Sequence, residues 1–337
     1  MRNYLSKSNL ILLSIAIFFT SVFVAVSCKN TVSNIKPRPL GAPGEVLLVI
    51  NNDNWNSKVG NTIDVLLEDI FPALPQAETM FKRTRIEFSD FQRHFRTYRN
   101  ILLVSIRPDV STNKVEFRRN EWALHQQVAE VIAKDAKDLE NLFVQKWPKI
   151  KSFFYNGDID ALVNSYNRVF EPSVVNLVKN QYPFSLHFPK GYQLKKKDNN
   201  FTWIVNERLD SHLGVFVYQF SLDSIEDTNA NALLELRNKL LYEQVPGEYP
   251  GSFMTTEEEF PVQVRKSKFA GRRWTELRGL WKVQGDFMGG PFVDYFYVDF
   301  ENNQLIMLEG YVYAPAKPNK AVFVREVEAV LKTFMPV

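Results

Sequence analysis

The second half of the chain carries a series of short segments rich in aromatic and β-branched residues, each bounded by polar or glycine-containing turns. Four of them follow one another directly: 262–270, 272–283, 291–300 and 304–313. Segments of this composition are typical of β-strands, and short polar turns join antiparallel neighbours. The polar residues 301–303 predict a hairpin between the last two. These features restrict the second half to a mainly antiparallel sheet.

Three further strand segments precede these four, and two helical patterns interrupt and close the series. The earlier strands are predicted at 182–192, 201–207 and 214–220, with polar turns such as 195–200. Leucines at helical spacing predict a helix between Asn229 and Gln244, and a closing helix begins near Asn319. We therefore predict that 181–337 is an antiparallel sheet flanked by helices.

Residues 45–180 mix strand and helix patterns. Apolar runs predict strands at 45–50, 81–88 and 101–106, and 122–133 fits a strand better than a helix. A helical pattern around 63–70 ends at the prolines that follow it. The halves together predict an α+β protein with two domains, 45–180 and 181–337.

The first half should contain further helices. A short helix is predicted after Ser89, with Phe91 and Phe95 on one face. A longer helix begins near Asp135, and Pro148 should kink or break it. The "NGD" sequence at 156–158 is typical of a turn, so we predict that another helix starts after it.

The N-terminal segment has the features of an export signal. Two basic residues, Arg2 and Lys7, precede the uncharged apolar run 10–26, and Cys28 follows it. The run could also be a short transmembrane anchor, but the stretch from Ala25 to Cys28 resembles the lipobox of bacterial lipoproteins. We therefore predict a signal peptide at 1–27, lipidation of Cys28, and a flexible lipidated tether at 28–44.

The cysteine count and the net charge argue against several classes of protein. Cys28 is the only cysteine, so the fold has no intramolecular disulfide, and a lipidated Cys28 leaves no thiol for catalysis. Without Arg2 and Lys7 the chain has 39 basic and 38 acidic residues, which does not favour a nucleic acid as partner. The four histidines share no metal-ligand spacing, and no motif indicates a cofactor.

Two resemblances add to this interpretation. The lipobox, the stretch 120–128 and the stretch 279–292 resemble an uncharacterised lipoprotein family, a domain of unknown function from bacteroidete-type Gram-negative bacteria. The order of elements from Tyr182 to Phe334 resembles the PsbP and Mog1 type of sandwich, a likeness of fold that implies no function. The family resemblance supplies no catalytic residues.

One stretch of the first half is strongly basic. Residues 81–119 contain ten lysines and arginines and only four acids. Arg93, Arg96 and Arg99 alternate there with aromatic rings. They form either a solvated helix face or a patch that faces anionic head groups, acidic glycans or an acidic protein.

Trp274 and Trp281 are the other candidate binding residues. They lie seven positions apart on one predicted strand, so regular pairing places them on opposite faces of the sheet. One of the two rings should belong to the core, and the other could form an aromatic binding surface.

The sequence contains no recognisable catalytic set, since neither a nucleophile elbow nor a Ser-x-x-Lys motif with its companions is present. We expect a non-enzymatic binding or structural protein, held at the outer membrane by its lipid and facing the periplasm. Its partner could be an envelope protein or an anionic glycan. The alternative is an envelope hydrolase, for example one acting on glycans, with its acid and base on distant loops.

Overall fold

The computed structural model of the chain describes residues 36–225 and 227–337. Cys28 and the predicted signal peptide lie outside the described residues. Within the described part, residues Pro37–Val337 form one unit of continuous packing. The predicted α+β class is confirmed, with a large curled antiparallel sheet flanked by helices.

The helices and strands are numbered here in chain order. The helices are α1 (Asn52–Trp55), α2 (Lys58–Leu67), α3 (Ala136–Arg168), α4 (Pro172–Gln181), α5 (Ala230–Gln244) and α6 (Lys320–Leu331). The strands of the first half are β1 (Glu45–Val49), β2 (Lys82–Ile86), β3 (Asn100–Ile106), β4 (Lys114–Arg119) and β5 (Gln127–Ala133). The strands of the second half are β6 (Phe184–Ser185), β7 (Gln193–Lys197), β8 (Phe201–Arg208), β9 (Ser211–Ser221), β10 (Phe253–Thr256), β11 (Gln263–Phe269), β12 (Arg272–Gln284), β13 (Gly289–Asp299), β14 (Gln304–Tyr313) and β15 (Met335–Pro336).

The first half is built on a five-stranded sheet in the order β2-β1-β3-β5-β4. The first four of these strands run parallel, and β4 is an antiparallel edge. Strands β1, β3 and β5 are almost entirely buried, as expected when both faces of a parallel sheet are covered. Helices α2 and α3 lie on one face, and aromatic residues between β2 and β3, together with Trp122, cover the other.

The second half is built on an eight-stranded antiparallel sheet. Its path is β10-β12-β13-β14-β9-β8-β7, and β11 pairs with β12 beside β10. Helix α5 covers one face, and α6 covers the other, where it also packs against α3 of the first half. Because α3 and α6 share one core, the two sheets are joined through a helical layer.

Helix α3 contradicts the predicted turn at 156–158. It runs without a break from Ala136 to Arg168, through both Pro148 and the "NGD" sequence. One turn after Pro148, the hydroxyl of Ser152 donates a hydrogen bond of 2.9 Å to the Pro148 carbonyl. Gly157 is needed for packing, because a Cβ atom there would lie 2.2 Å from Cγ of Gln127 on β5.

Other predictions also differ from the structure. The short helix predicted after Ser89 is wrong, since the segment forms two 3-10 turns, at Phe88–Asp90 and Phe95–Thr97. Strand β4 was not predicted, and most of the strand predicted at 182–192 is a loop around the two residues of β6. The helices predicted to begin near residues 229 and 319 are confirmed as α5 and α6.

Candidate functional site

A cavity of about 560 Å³ opens between the two halves of the molecule. Its walls are α3, the edge strand β11, the neighbouring strand β12 and the C-terminal end of α6. Three carboxylates line it: Asp160, Glu276 and Glu328. Seven cationic side chains line it: Arg119, Lys151, Arg265, Lys266, Lys268, Arg278 and Lys332. We call this cavity the cationic cleft.

The pairing register of β11 with β12 decides which cations point into the cleft. Arg265 lies opposite Glu276, and directly opposed residues share a face of the sheet. Lys266 lies opposite Thr275 and donates to its hydroxyl at 3.0 Å, so its side chain extends over the other face. Lys266 and Lys268 therefore bound the edge of the cleft, whereas Arg265 faces its interior.

The floor of the cleft is a buried polar network centred on Glu328 of α6. Its carboxylate accepts hydrogen bonds from the Arg278 guanidinium at 2.6 Å, the Tyr295 hydroxyl at 2.9 Å and the Lys332 ammonium at 2.8 Å. The Tyr155 hydroxyl of α3 donates to it as well. Glu328 therefore connects helix α3 with strands β12 and β13.

The electrostatics of this floor fix its charges. Burial opposes ionisation of Glu328, but the charges of Arg278 and Lys332 outweigh it and hold its pKa well below the usual range. Burial raises the pKa of the Tyr155 hydroxyl far above its ordinary value. Glu328 is therefore an anion and Tyr155 a neutral donor at every physiological pH.

Most of the other cations of the cleft are neutralised by acids. Arg278 also binds Glu276, with Nε 2.5 Å from Oε1, and Lys151 lies 2.7 Å from Asp69. Arg119 forms a longer contact of 3.5 Å with Asp160. Within the described residues, Arg265 has no carboxylate partner, and its guanidinium donates to the side chain of Gln263 instead. Arg265 is thus the cleft-facing cation most available to a ligand.

The predicted patch of Arg93, Arg96 and Arg99 is not on a helix face. Arg93 and Arg96 are exposed, and Arg99 is partly buried. The guanidinium of Arg96 lies over the rings of Phe91 and Trp122, and Nε of Arg99 donates to the Gly41 carbonyl. In the described residues no carboxylate forms an ion pair with any of the three, so an anion-facing role for them stays a prediction.

The two tryptophans lie on opposite faces of the large sheet, and both rings are buried. Trp274 is 1% exposed and packs between Phe269 and Phe334, on the α6 side. Trp281 is 3% exposed and packs on the α5 side. It also lines an apolar cavity of about 210 Å³. Neither ring forms an exposed platform, so an aromatic site would have to be this cavity at Trp281.

The sequence did not indicate the cleft. The one local signal is the "RKSK" run at 265–268, which is also what a solvated edge strand looks like. The floor residues lie far apart in sequence, with 173 positions between Tyr155 and Glu328, so only the fold brings them together. Within the described residues, no group of three or more His, Cys, Asp or Glu side chains is placed to hold a metal ion.

Comparisons with known proteins divide the chain at the end of α3. Residues 39–167 match the family described as Domain of unknown function (DUF8532). Residues 171–333 match the family described as Domain of unknown function (DUF4837). The curated proteins contain no match to the chain. The chain therefore carries two domains of unknown function, which is consistent with an uncharacterised family.

Proposed function

We propose that this chain is a lipid-anchored protein of the bacterial cell envelope that binds an anionic ligand in the cationic cleft without catalysing a reaction. One observation carries the proposal. The cleft is lined by seven cations and three carboxylates, and Arg265 faces it with no carboxylate partner in the described part of the chain. A cavity with excess positive charge attracts anions and strengthens charge-assisted hydrogen bonds.

The anchoring part of the proposal rests on the N-terminal sequence. An acylated Cys28, a short distance in sequence before the packed unit that begins at Pro37, would hold the folded part at a membrane surface. Two or more acyl chains suffice for stable anchoring. No helix in the described ranges is long and apolar enough to cross a bilayer. The lack of acidic residues directly after Cys28 favours the periplasmic side of the outer membrane.

The chemistry of the floor favours binding over hydrolysis. A glycosidase needs one carboxyl group that stays protonated near neutral pH and a second one free to act as base or nucleophile. Glu276 and Glu328 do converge in the cleft, but both are bound to Arg278. Glu328 is also held ionised by its neighbours. Glu276 and Glu328 therefore hold Arg278 in place rather than donate a proton, and the third carboxylate of the cleft, Asp160, lies beside Arg119.

Calorimetric titration of the full-length protein in detergent with pyrophosphate tests the proposal. Arg265→Gln should weaken binding about tenfold at low salt, the cost of one charge-assisted hydrogen bond. Arg273→Gln is the matched control, because Arg273 is exposed on the same β11–β12 hairpin and does not line the cleft. Binding should also weaken as salt is raised.

Two results would count against the proposal. Equal affinities of Arg265→Gln and Arg273→Gln for pyrophosphate would remove the cleft as the anion site. Release of reducing ends from an envelope glycan by the wild-type protein, but not by Glu276→Gln, would replace binding by the hydrolase alternative.

A further inference from the structure

A second cavity of about 200 Å³ adjoins the cationic cleft. Arg119 and Asp160 line both cavities, so the two meet at this ion pair. Both side chains are more than half exposed, at 55% and 54%. An exposed pair of this kind contributes little to stability. A ligand that crosses from one cavity to the other can therefore displace it at small cost.

The chemistry changes across that ion pair. Beyond it, the second cavity is lined by the amide side chains of Asn120, Gln127 and Asn164 and by the imidazole of His125. Burial lowers the pKa of His125, and the charges of Arg168 and Arg99 lower it further, against the opposing effect of Asp160. The wall is thus uncharged at neutral pH and presents hydrogen-bond donors and acceptors.

The loop that carries His125 is held in a strained conformation. Asn120 and His125 both have left-handed backbones, with φ of 54° and 56°, which is uncommon for residues other than glycine. The buried side chain of Gln126 fixes the loop, because it donates to the carbonyls of Arg96 and Tyr98 and accepts from the amide of Trp122. Strain kept in place by such a set of bonds is typical of functional loops.

We propose that the two cavities form one continuous site for an acidic polysaccharide, whose acidic groups occupy the cationic cleft while the hydroxyls of the next sugar occupy the His125 cavity. This inference rests on the proposed function and adds the class of ligand. A small anion would fill only the cleft. A polyphosphate would place negative charge in the uncharged cavity beside Asp160, whereas sugar hydroxyls match the amides there.

The length dependence of binding tests the inference. The full-length protein is titrated with glucuronic acid and with oligomers of up to four units in which glucuronic acid alternates with a neutral N-acetylated sugar, and separately with pyrophosphate. The tetramer should bind the wild type about tenfold more tightly than the monomer, as one extra set of hydrogen bonds provides.

Matched variants separate the second cavity from the cleft. Asn164→Trp fills the His125 cavity from an exposed position of α3. Ser165→Trp puts the same ring on the next position of the same helix, which is also exposed and does not line the cavity. Asn164→Trp should reduce tetramer binding to the level of the monomer and leave pyrophosphate binding unchanged. Ser165→Trp should change neither.

Three outcomes would overturn the inference. Wild-type affinity of Asn164→Trp for the tetramer would show that the second cavity is unused, with the proposed function intact as long as pyrophosphate binding still depends on Arg265. A neutral malto-oligosaccharide that binds as tightly as the acidic tetramer would remove the role of charge. If linear polyphosphate bound with the same dependence on length and on Asn164, the proposed class of ligand, an acidic polysaccharide, would be wrong.

Discussion

Glu78 caps a helix that begins 242 residues further along the chain. One carboxylate oxygen accepts from the amide of Lys320 at 2.8 Å, and the other accepts from the amide of Ala321 at 3.0 Å. These are the first two residues of α6, and its own N-cap residue, Asn319, makes no side-chain capping bond. The first amides of a helix have no partner within it, and a negative charge there is favourable. The first half therefore supplies the cap of a helix in the second.

Glu78→Ala should lower the free energy of unfolding by about 1–2 kcal/mol, the usual cost of losing a cap. Glu78→Gln should lose less, because one acceptor oxygen remains. Urea unfolding measures both, with Glu258→Ala as a control at an exposed glutamate. If Glu78→Ala and Glu258→Ala unfolded at the same urea concentration, the cap would contribute nothing.

Gly157→Ala should destabilise the protein although it improves helix propensity. In an exposed helix this change gains about 1 kcal/mol, but here the new Cβ atom would lie 2.2 Å from Cγ and 2.5 Å from Cδ of Gln127. Overpacking of this kind costs about 1–3 kcal/mol. The exposed neighbour Asn156→Ala should instead be neutral or slightly stabilising.

A double-mutant cycle isolates the clash. In a Gln127→Ala background the obstructing side-chain atoms are gone, so Gly157→Ala should become neutral or stabilising. A Gly157→Ala effect of the same size in both backgrounds would mean that Gln127 is not the reason for the glycine.

These contacts explain which parts of the fold the sequence could predict. Apolar residues recur at helical spacing in α5 and α6, and the predicted starts of both helices lie within one residue of the observed ones. The "NGD" sequence is typical of a turn, but Gly157 is needed because α3 packs so close to β5 that a Cβ atom would not fit. A local pattern carries no information on an approach set by tertiary packing, so the continuous α3 could not be predicted.

Asp294 should make the protein less stable as the pH rises. It lies on β13 directly opposite Glu309 of β14, and both are fully buried. Arg237 of α5 binds Glu309 at 2.7 and 2.8 Å. In the described residues, neither carboxyl oxygen of Asp294 has a hydrogen-bond partner of good geometry. Burial, and then the charge of Glu309, raise the pKa of Asp294 well above its ordinary value of 3.8, against the opposing charge of Arg237.

The direction of this pH effect follows from the number of protons that Asp294 binds in the folded and the unfolded protein. A carboxyl group with a raised folded pKa binds a proton on folding, so its effect is most favourable below pH 3.8 and is lost as the pH rises towards the folded pKa. Asp294→Asn removes this titration. As the pH rises, the free energy of unfolding of the variant should therefore increase relative to that of the wild type, by at most about 1.4 kcal/mol per pH unit. Urea unfolding at pH 5 and pH 8 measures it, with the exposed Asp90→Asn as control. A difference independent of pH would mean that Asp294 is not the group responsible.

Cys28→Ser should leave an uncleaved precursor that takes up no labelled palmitate. The reason is chemical, because the proposed lipid is attached to the thiol and Cys28 is the only cysteine. Ser27→Ala keeps a small residue before the cut and should be processed normally. Normal processing and membrane location of Cys28→Ser would contradict the lipoprotein hypothesis.

The candidate site was less predictable than the fold. The aromatic and basic patterns drew attention to Trp274, Trp281 and the arginines 93–99, because exposed residues of these types often bind ligands. Burial of the two tryptophans cannot be read from their spacing, since both faces of the large sheet are covered. The cleft is formed by Arg265, Arg278 and α3 side chains, which meet only when the two halves pack together.

The packing of α3 against α6 also sets the order in which the molecule can be completed. Helix α3 is synthesised long before α6, and Glu78 precedes its hydrogen-bond partner Ala321 by 243 positions in the sequence. Until α6 arrives, one apolar side of the first half has nothing to cover it. Contacts between residues so distant in sequence form slowly, and the folding intermediates that precede them are prone to aggregate. If the chain is exported as we propose, the shared core is complete only after α6 has been translocated, so a holding chaperone would have to cover the exposed side of α3 until then.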